Sequence, residues 1–284
     1  MEILDRIHLI PLGGAGEVGA GPSTSVYYVQ GQDRGAFIDS GFPDEERTRP
    51  LVEYWQQNLA GAATGWVLVS HRHYEHSGGV KILKRATGAR IGAGRGDVEA
   101  ISAQFGSGAS GLDDLVDDAL EGDEVFDLGG RRIRVIATPG HTAGTVCFFL
   151  EDEGILFTGD HIMGRGTVVI RSDEGGSMAQ HIDSLRKLLD LDLKLILSGH
   201  GPAILEPRAK IQEVVRHRME REEQILGLLG EGITGVDALM ARVYGNVTER
   251  LAFLARHQVV AHLKKLEEEG RAVAVEDGSR YRPA

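Results

Sequence analysis

The sequence predicts an α/β protein that carries a small helical domain at its C-terminus. Short runs rich in β-branched and aromatic residues alternate with helical segments up to about residue 205. After residue 206 the pattern changes to helical segments followed by a hairpin. Several of the β-rich runs also end in a histidine or an aspartate. We therefore predict two domains, residues 1–206 and residues 207–284.

Each predicted element has its own signal. In residues 177–190 apolar residues recur at helical spacing after Ser177, a favourable N-cap residue. A helix is also predicted for residues 47–61, and residues 208–231 predict one long charged helix. The pair at 277–278, Asp-Gly, predicts the turn of the terminal hairpin. The predicted strands, each closed by Gly, Pro or Ser, are IHLIPL, TSVYYVQ, GAFIDSG, GWVLVSH, RRIRVIAT, TVCFFLE, GILFTGD and LKLILSG.

Composition and charge exclude several classes of protein. The 284 residues, 42% of them hydrophobic, are enough to bury a core. Apolar runs stay well below the roughly 18 residues that a membrane span needs, and the first residues do not read as a secretion signal. A single cysteine, Cys147, fits a reducing compartment. The net charge of −11 disfavours a broad nucleic-acid-binding surface, and we expect no duplex DNA partner. We expect a cytoplasmic protein without a membrane partner.

Histidines and an aspartate collect where predicted strands end. WVLVSH ends at His71, and His73 follows two residues later, while other strands run into His141, Asp160 and His200. A lone histidine in such a place is more often a hydrogen-bonded surface residue. Here five of the eleven histidines belong to one set, which includes the compact spacing His-x-His-x-acid-His. Imidazole and carboxylate are ligands of zinc and similar metals, so the set predicts a metal centre.

The motif HRHYEHSGG, followed by TPGHT, FTGD and SGHG, resembles the metallo-β-lactamase superfamily. The family pattern is His-x-His-x-Asp-His followed by a distant His, Asp and His. The resemblance covers residues 7–205 and implies an αββα four-layer sandwich with two divalent metal ions at the open edge between its sheets. Zinc is the metal it implies first, with manganese or iron as alternatives. The implied ligands are His71, His73 and His141 for one ion, Asp160 for both, and Glu75, His76 and His200 for the other.

The match can be narrowed to a group within that superfamily. GRGTVV, SGHGP and HRMEREEQIL resemble the lactamase-beta-like protein two group, which is similar to glyoxalase II in its catalytic core. Members of the group carry a small winged-helix-like domain at the C-terminus. They are linked to cleavage of single-stranded RNA, and relatives to hydrolysis of acyl thioesters. The resemblance implies a hydrolase that uses metal-activated hydroxide on one of these ester-type bonds.

Glu75 departs from the family pattern, which has an aspartate at this place. Its carboxylate is one methylene further from the backbone and would overshoot the second ion unless the side chain folds back. Glu75 could ligate the ion, serve only as a base, or leave the second site weak. We predict ligation after a small adjustment. We also predict catalytic roles for Glu75, in proton transfer, and for Asp160.

Two further residues are candidates for the neighbourhood of the metals. Asp39, in FIDSG, resembles the buried aspartate that the superfamily carries beside its ligands. Arg165 follows Asp160 closely and could contact an anionic group of the substrate, or it could be a surface arginine. The glycine-rich stretch GAGEVG (residues 14–19) has the outline of a dinucleotide fingerprint. A strand follows it where that site needs a helix, so we reject the fingerprint and predict a turn near the metals.

Two other functions remain open at this point. A mononuclear iron dioxygenase of the persulfide type would be compatible with a weak second site. A non-catalytic metal-binding regulator would use the winged helix to bind DNA, but residues 248–270 have mixed charge and end in three glutamates followed by a glycine. The expected partners are a small acyl substrate or single-stranded RNA. A homodimer through the C-terminal helices is also predicted, from the apolar spacing of Leu251, Leu254, Val259, Leu263 and Leu266.

Overall fold

The structure of the chain is a computed structural model that describes residues 1–13, 23–59, 63–106, 115–245, 247–275 and 278–284. The chain divides into two compact units. The first unit comprises residues 1–138, 144–166 and 191–207, and the second comprises residues 139–143, 167–190 and 208–284. The predicted domain boundary after residue 206 stays a prediction. The glycine-rich stretch at residues 14–19 lies outside the described residues.

The described residues form two large sheets, one hairpin and eight α-helices. The strands are β1 (Glu2–Leu4), β2 (Ile7–Leu12), β3 (Thr24–Gln30), β4 (Arg34–Ile38), β5 (Ala63–Val69), β6 (Arg90–Gly94), β7 (Asp118–Leu120), β8 (Val125–Asp127), β9 (Arg132–Ala137), β10 (Val146–Leu150), β11 (Ile155–Phe157), β12 (Leu195–Leu197), β13 (Ala272–Val275) and β14 (Arg280–Pro283). The helices are α1 (Glu45–Asn58), α2 (Tyr74–Ser77), α3 (Val80–Thr87), α4 (Arg95–Phe105), α5 (Met178–Leu188), α6 (Pro207–Gly230), α7 (Val236–Tyr244) and α8 (Glu249–Glu268).

Both large sheets belong to the first unit. One has the strand order β1-β2-β3-β4-β5-β6-β7, and the other has the order β12-β11-β10-β9-β8. Pairing is parallel from β4 to β7 and between β11 and β12, and it is antiparallel elsewhere. The carboxyl ends of neighbouring parallel strands meet at the same edge of a sheet. This edge is where the predicted ligands follow their strands.

The core of the first unit explains why its strands read as continuous apolar runs. Tyr27 and Val29 of β3 join a cluster that also takes side chains such as Phe148 from the second sheet. The alternate residues Val26 and Tyr28 join another cluster with side chains of α1, α3 and α4. Successive side chains of a strand point to opposite faces, and both faces of this one are buried. All eight predicted strands are present in the structure.

The predicted helices are present, but four strands, β1, β6, β7 and β8, were not predicted. Ser177 caps α5 by accepting a hydrogen bond from the backbone N–H of Gln180. Strand β6 (RIGAG) is rich in glycine, and β7 (DAL) lies in an acidic stretch. Pairing of β7 with β6 and ion pairs such as Arg90 with Asp118 hold it in the sheet. Long-range pairing outweighs local propensity here.

The second unit has its own core beneath its helices and hairpin. Val259, Leu263 and Leu266 of α8 are buried in that core, so most of the predicted apolar spacing packs within the unit. Leu251, at the start of the helix, is exposed. Strands β13 and β14 pair as predicted, and Asp277 of the predicted turn lies outside the described residues. None of the helices in the described part of the chain has the length and apolar character that crossing a bilayer requires.

Candidate metal centre

Strand topology brings most of the predicted ligands to one edge of the first unit. β4 and β5 are parallel neighbours, and they lead into Asp39 and His71. β11 and β12 are also parallel neighbours, and they lead into Asp160 and His200. His73, Glu75 and His76 follow on the short helix α2 and in the turn before it. Six of the seven predicted ligands therefore lie at this edge.

The first group of ligand atoms comes from His71, His73 and Asp160. These atoms lie within 4.8 Å of one another. The Nε2 atom of His71 is 3.0 Å from the Nδ1 atom of His73. The hydroxyl of Ser70 lies 3.0 Å from the other ring nitrogen of His71, which fixes the ring and leaves Nε2 directed at the group.

The second group comes from Glu75, His76 and His200, whose ligand atoms also lie within 4.8 Å of one another. The Nε2 atoms of His76 and His200 are 3.3 Å apart. The extra methylene of Glu75 therefore does not carry its carboxylate away from the group. Its Oε2 atom is buried, and no hydrogen-bond partner for it exists among the described residues.

Asp160 lies between the two groups. Its Oδ1 atom is 3.5 Å from Nε2 of His76 and 3.3 Å from Nε2 of His200. A carboxylate oxygen of the same residue belongs to the group of His71 and His73. A single carboxylate can therefore face two cation positions at once.

The imidazoles of the second group are oriented by hydrogen bonds at Nδ1. Nδ1 of His76 lies 2.7 Å from Oδ2 of Asp39, and Nδ1 of His200 lies 2.9 Å from the carbonyl oxygen of Ser23. A proton on Nδ1 is the assignment that lets each ring donate to its acceptor, and it leaves a lone pair on Nε2. Two lone pairs can then face each other beside a carboxylate oxygen, an arrangement that a cation between them would stabilise. The residues present thus fit a metal ion.

Asp39 occupies the predicted place beside the ligands. Its φ of +66° lies in the left-handed region, which aspartate tolerates better than most residues. Its carboxylate accepts hydrogen bonds from the backbone N–H and the hydroxyl of Ser70, at 2.8 Å and 3.0 Å. Together with the contact to His76, these bonds stabilise an unusual backbone conformation. Its role as a support for the metal centre stays a prediction.

The electrostatic environment of this edge favours positive charge. Burial lowers the pKa of His76, but the carboxylates of Asp160 and Asp39 outweigh it and raise that pKa to about 9. Burial likewise lowers the pKa of His200, while the hydrogen bond and the charge of Asp160 raise it above its ordinary value overall. Both directions show a site in which acidic groups are in excess.

His141 and Arg165 are placed differently from the six residues above. His141 belongs to the second unit, where its Nδ1 atom lies 3.0 Å from the carbonyl oxygen of Val169. Arg165 belongs to the first unit and is exposed. Its backbone lies against Gly201, because a Cβ atom built on Gly201 would be 2.8 Å from the backbone nitrogen of Arg165. Gly201 directly follows His200. The role of Arg165 in substrate binding stays a prediction.

Sequence reasoning missed two residues that support the site. Ser70 links the carboxylate of Asp39 to the ring of His71, and its only signal is its place just before that histidine. Asp97 is fully buried and accepts hydrogen bonds from the backbone N–H groups of Arg72, at 3.0 Å, and Gly144, at 3.3 Å. It fixes the backbone between the first two histidines. From sequence, Asp97 looks only like an acidic residue in the first turn of a helix.

Comparison with known families agrees with this geometry. A model described as the metallo-beta-lactamase superfamily matches residues 19–200. The chain belongs to the metallo-beta-lactamase superfamily. A second model, the beta-lactamase associated winged helix domain, matches residues 236–280. The predicted superfamily, its sandwich fold and the C-terminal winged helix are confirmed.

Individual members of the superfamily are similar over much of the chain. A beta-lactamase-like protein 2 homolog of Drosophila melanogaster is 32% identical, across 87% of this chain and 83% of its own length. An atrochrysone carboxyl ACP thioesterase of Aspergillus fumigatus is 30% identical, across 72% of this chain and 58% of its own length. A metallo-beta-lactamase family protein of Thermus thermophilus has the same fold, with a TM-score of 0.77, 22% identity and full coverage of both chains.

These relatives confirm the predicted group and the prediction of an enzyme, a hydrolase of the metallo-β-lactamase fold. Membership of the superfamily implies that the chain binds divalent metal. The cluster of histidine and aspartate at the strand ends, with its ring nitrogens oriented inward, fits that implication.

Proposed function

We propose that this protein is a hydrolase that depends on two divalent metal ions, zinc first among them, and cleaves an acyl thioester. The observation that carries the proposal is the pair of ligand groups that meet at Asp160, with ring nitrogens held from behind by Asp39, Ser70 and Ser23. One relative that is 30% identical is named as a thioesterase, which supports the choice of bond.

The proposed ligand sets follow the two groups. His141 joins the first set through its place in the family motif and through an Nδ1 contact like that of His200. Glu75 joins the second set because its carboxylate lies within 4.8 Å of the ligand atoms there. The ligands are His71, His73, His141 and Asp160 for the first ion, and Glu75, His76, His200 and Asp160 for the second.

The residues of the chain would position the reactants and move the proton. When bound, the ions would supply polarisation of the thioester carbonyl and a lowered pKa for water. Asp160 would fix the separation of the two ion positions. Glu75 would accept the proton from the attacking water at a carboxylate oxygen and deliver it to the sulfur of the leaving thiol. Arg165 would contact an anionic part of the thioester carrier.

The first experiment measures metal content per chain by elemental mass spectrometry together with hydrolysis of an acyl thioester. We expect two zinc or manganese ions in the wild type and a loss of one ion in Glu75→Ala. His217→Ala removes an exposed histidine that belongs to neither ligand group and serves as the matched control with two ions. A single iron that Glu75→Ala does not change would contradict the hydrolase and favour the dioxygenase.

A salt titration separates the two candidate substrates. Cleavage of single-stranded RNA depends on phosphate contacts and should weaken steeply with salt, whereas hydrolysis of a small thioester should change little. The net charge of −11 favours the small substrate. Salt-sensitive RNA cleavage without turnover of any acyl thioester would replace the thioester by RNA in this proposal.

A further inference from the structure

Residues 167–170 of the second unit carry the carbonyl that orients His141. Nδ1 of His141 lies 3.0 Å from the carbonyl oxygen of Val169, and a proton on Nδ1 leaves Nε2 available as a ligand. Within the described residues, no backbone–backbone hydrogen bond involves residues 167–170. The backbone of this segment is therefore held by side chains.

Two side chains from the C-terminal helices bind the neighbouring carbonyl. Nη2 of Arg218, on α6, donates to the carbonyl oxygen of Val168 at 2.7 Å. Nε2 of Gln258, on α8, donates to the same oxygen at 2.6 Å. Arg218 is 2% exposed and Gln258 is 5% exposed. This carbonyl belongs to the peptide that joins Val168 to Val169, so the two donors fix the backbone just before the carbonyl that His141 contacts.

Burying the Arg218 guanidinium to bind a single carbonyl group costs free energy. Burial lowers its pKa to about 10, so the guanidinium remains charged at neutral pH. The guanidinium donates to the Val168 carbonyl, and no carboxylate pairs with it among the described residues. A buried cation without a paired anion is unfavourable, and an apolar side chain of similar volume would pack there at lower cost. The arrangement is better explained by what the carbonyl does than by stability.

We propose that Arg218 and Gln258 are positioning residues of the metal centre. Through the peptide between Val168 and Val169, they hold the His141 imidazole in the orientation that a metal ligand needs. The inference rests on the proposed function, in which His141 binds the first ion. It gives α6 and α8 a task beyond packing, and Arg218 lies outside the residues that either family model matches.

A buried charge on the same helix offers a matched control. Glu222 lies one turn after Arg218 and is fully buried, and its carboxylate pairs with Lys265 and Arg271. Neither these contacts nor the approach of His262 to the same carboxylate involves residues 167–170. Glu222→Gln therefore perturbs the buried charge of α6 without touching the carbonyl that Arg218 holds.

The test measures zinc affinity by competition with a chromophoric chelator. We expect Arg218→Met to weaken binding by about 10–100-fold, the usual range for a residue that orients a ligand. Gln258→Met should have a smaller effect in the same direction. Arg218→Lys keeps a donor and should recover most of the affinity, and Glu222→Gln should match the wild type.

A second measurement is independent of metal and of activity. Nitrogen NMR of the histidine rings in the metal-free protein reports which nitrogen of His141 carries the proton. We expect the Nδ1–H form in the wild type and in Glu222→Gln, and a mixture of both forms in Arg218→Met.

The outcomes separate this inference from the proposed function. If His141→Ala leaves zinc affinity unchanged, the proposed ligand set is wrong and the inference falls with it. If His141→Ala weakens binding but Gln258→Met and Arg218→Met change neither affinity nor protonation, only the inference is overturned. An equal loss in Glu222→Gln would also overturn it, because general destabilisation would then explain the effect. Should Arg218→Met not fold, Gln258→Met and Arg218→Lys decide by the same two readouts.

Discussion

The metal centre of the first unit and the ion network of the second unit are both buried polar clusters, but their charges balance differently. In the second unit, Lys265 lies 2.8 Å and Arg271 lies 2.9 Å from oxygens of Glu222. In the first unit, Oδ1 of Asp160 faces the ring nitrogens of His76 and His200 at 3.5 Å and 3.3 Å. One acid has full cations around it, and the other has imidazoles.

This difference in charge balance separates a structural cluster from a candidate functional one. Around Glu222 the charges offset each other inside the protein, which satisfies the buried carboxylate. Around Asp160 the further carboxylates of Asp39 and Glu75 add acceptors, and the groups that face them are imidazoles with a lone pair to share. A cluster with an excess of acceptors would be balanced by a cation from outside, so buried groups of unbalanced charge are a candidate site, whereas burial alone does not indicate one.

The largest effect should come from changing the cluster around Asp160. Asp160→Asn removes the charge that both ligand groups share while keeping the size of the side chain. We expect kcat/KM for the thioester to fall by about 10²–10⁴-fold, because metal is lost and the reacting groups are no longer aligned. Steady-state kinetics with parallel metal analysis measures this. Glu222→Gln is the control and should keep its turnover, and an Asp160→Asn enzyme with full metal and rate would rule out the shared role.

Changing the cluster around Glu222 should instead lower the stability of the fold. Lys265→Met leaves Glu222 with Arg271, which is partly exposed, as its main cation. We expect the free energy of unfolding to fall by about 3–5 kcal/mol, since one partner of a buried ion pair has gone. Urea unfolding measures the change. The double variant with Glu222→Gln removes both charges and should recover much of the loss; a double variant that is as unstable as the sum of both single variants would show that the pair is not coupled.

A smaller effect is expected from a change at Asp39, which contacts the cluster around Asp160 through His76. Asp39→Asn weakens the hold on Nδ1 of His76, yet asparagine tolerates the left-handed backbone at this position. Zinc affinity should fall by about 10–100-fold, through the orientation and basicity of the imidazole. Chelator competition measures the affinity, and the unfolding midpoint of the metal-free protein checks that the fold is intact. Unchanged affinity would show that Asp39 supports only the backbone.

The sequence could predict which side chains the strand ends bring together, but not the residues that orient them. Strand periodicity and the residues that close each strand are local signals, so the places of His71, Asp160 and His200 follow from them. Ser70, Asp97 and Arg218 act through contacts between segments that are distant in the chain or through a neighbour's backbone, and no spacing rule marks such contacts. Whether the longer side chain of Glu75 reaches its group depends on the turn that carries it, which the motif alone left open.

The same limit explains β6 and β7, two of the four strands that were missed. β6 is rich in glycine and β7 is acidic, so neither has the composition of a strand. Both gain their structure from pairing with neighbours whose position the local sequence does not give. In the second unit the hairpin and the four helices were predictable, because turn residues and apolar spacing are local there.

The smallest predicted effect is the pH dependence of stability that Glu222 contributes to the second unit. Burial raises the pKa of Glu222, but the neighbouring His262 and Lys265 lower it below its ordinary value overall. The ionised carboxylate therefore adds stability above the ordinary glutamate pKa, and this stability is lost as the pH falls through the lowered pKa of the folded state.

Between about pH 5 and pH 3, the unfolding free energy of the wild type should fall more steeply than that of Glu222→Gln, by up to about 1.4 kcal/mol per pH unit for one proton. Urea unfolding at stepped pH, with metal removed from both proteins, gives the two slopes and keeps the titration of the ligand histidines common to both. Parallel slopes would mean that Glu222 takes up its proton at the same pH whether the chain is folded or not. The cations around it would then neutralise its charge without adding stability, and charge balance would no longer distinguish the two clusters.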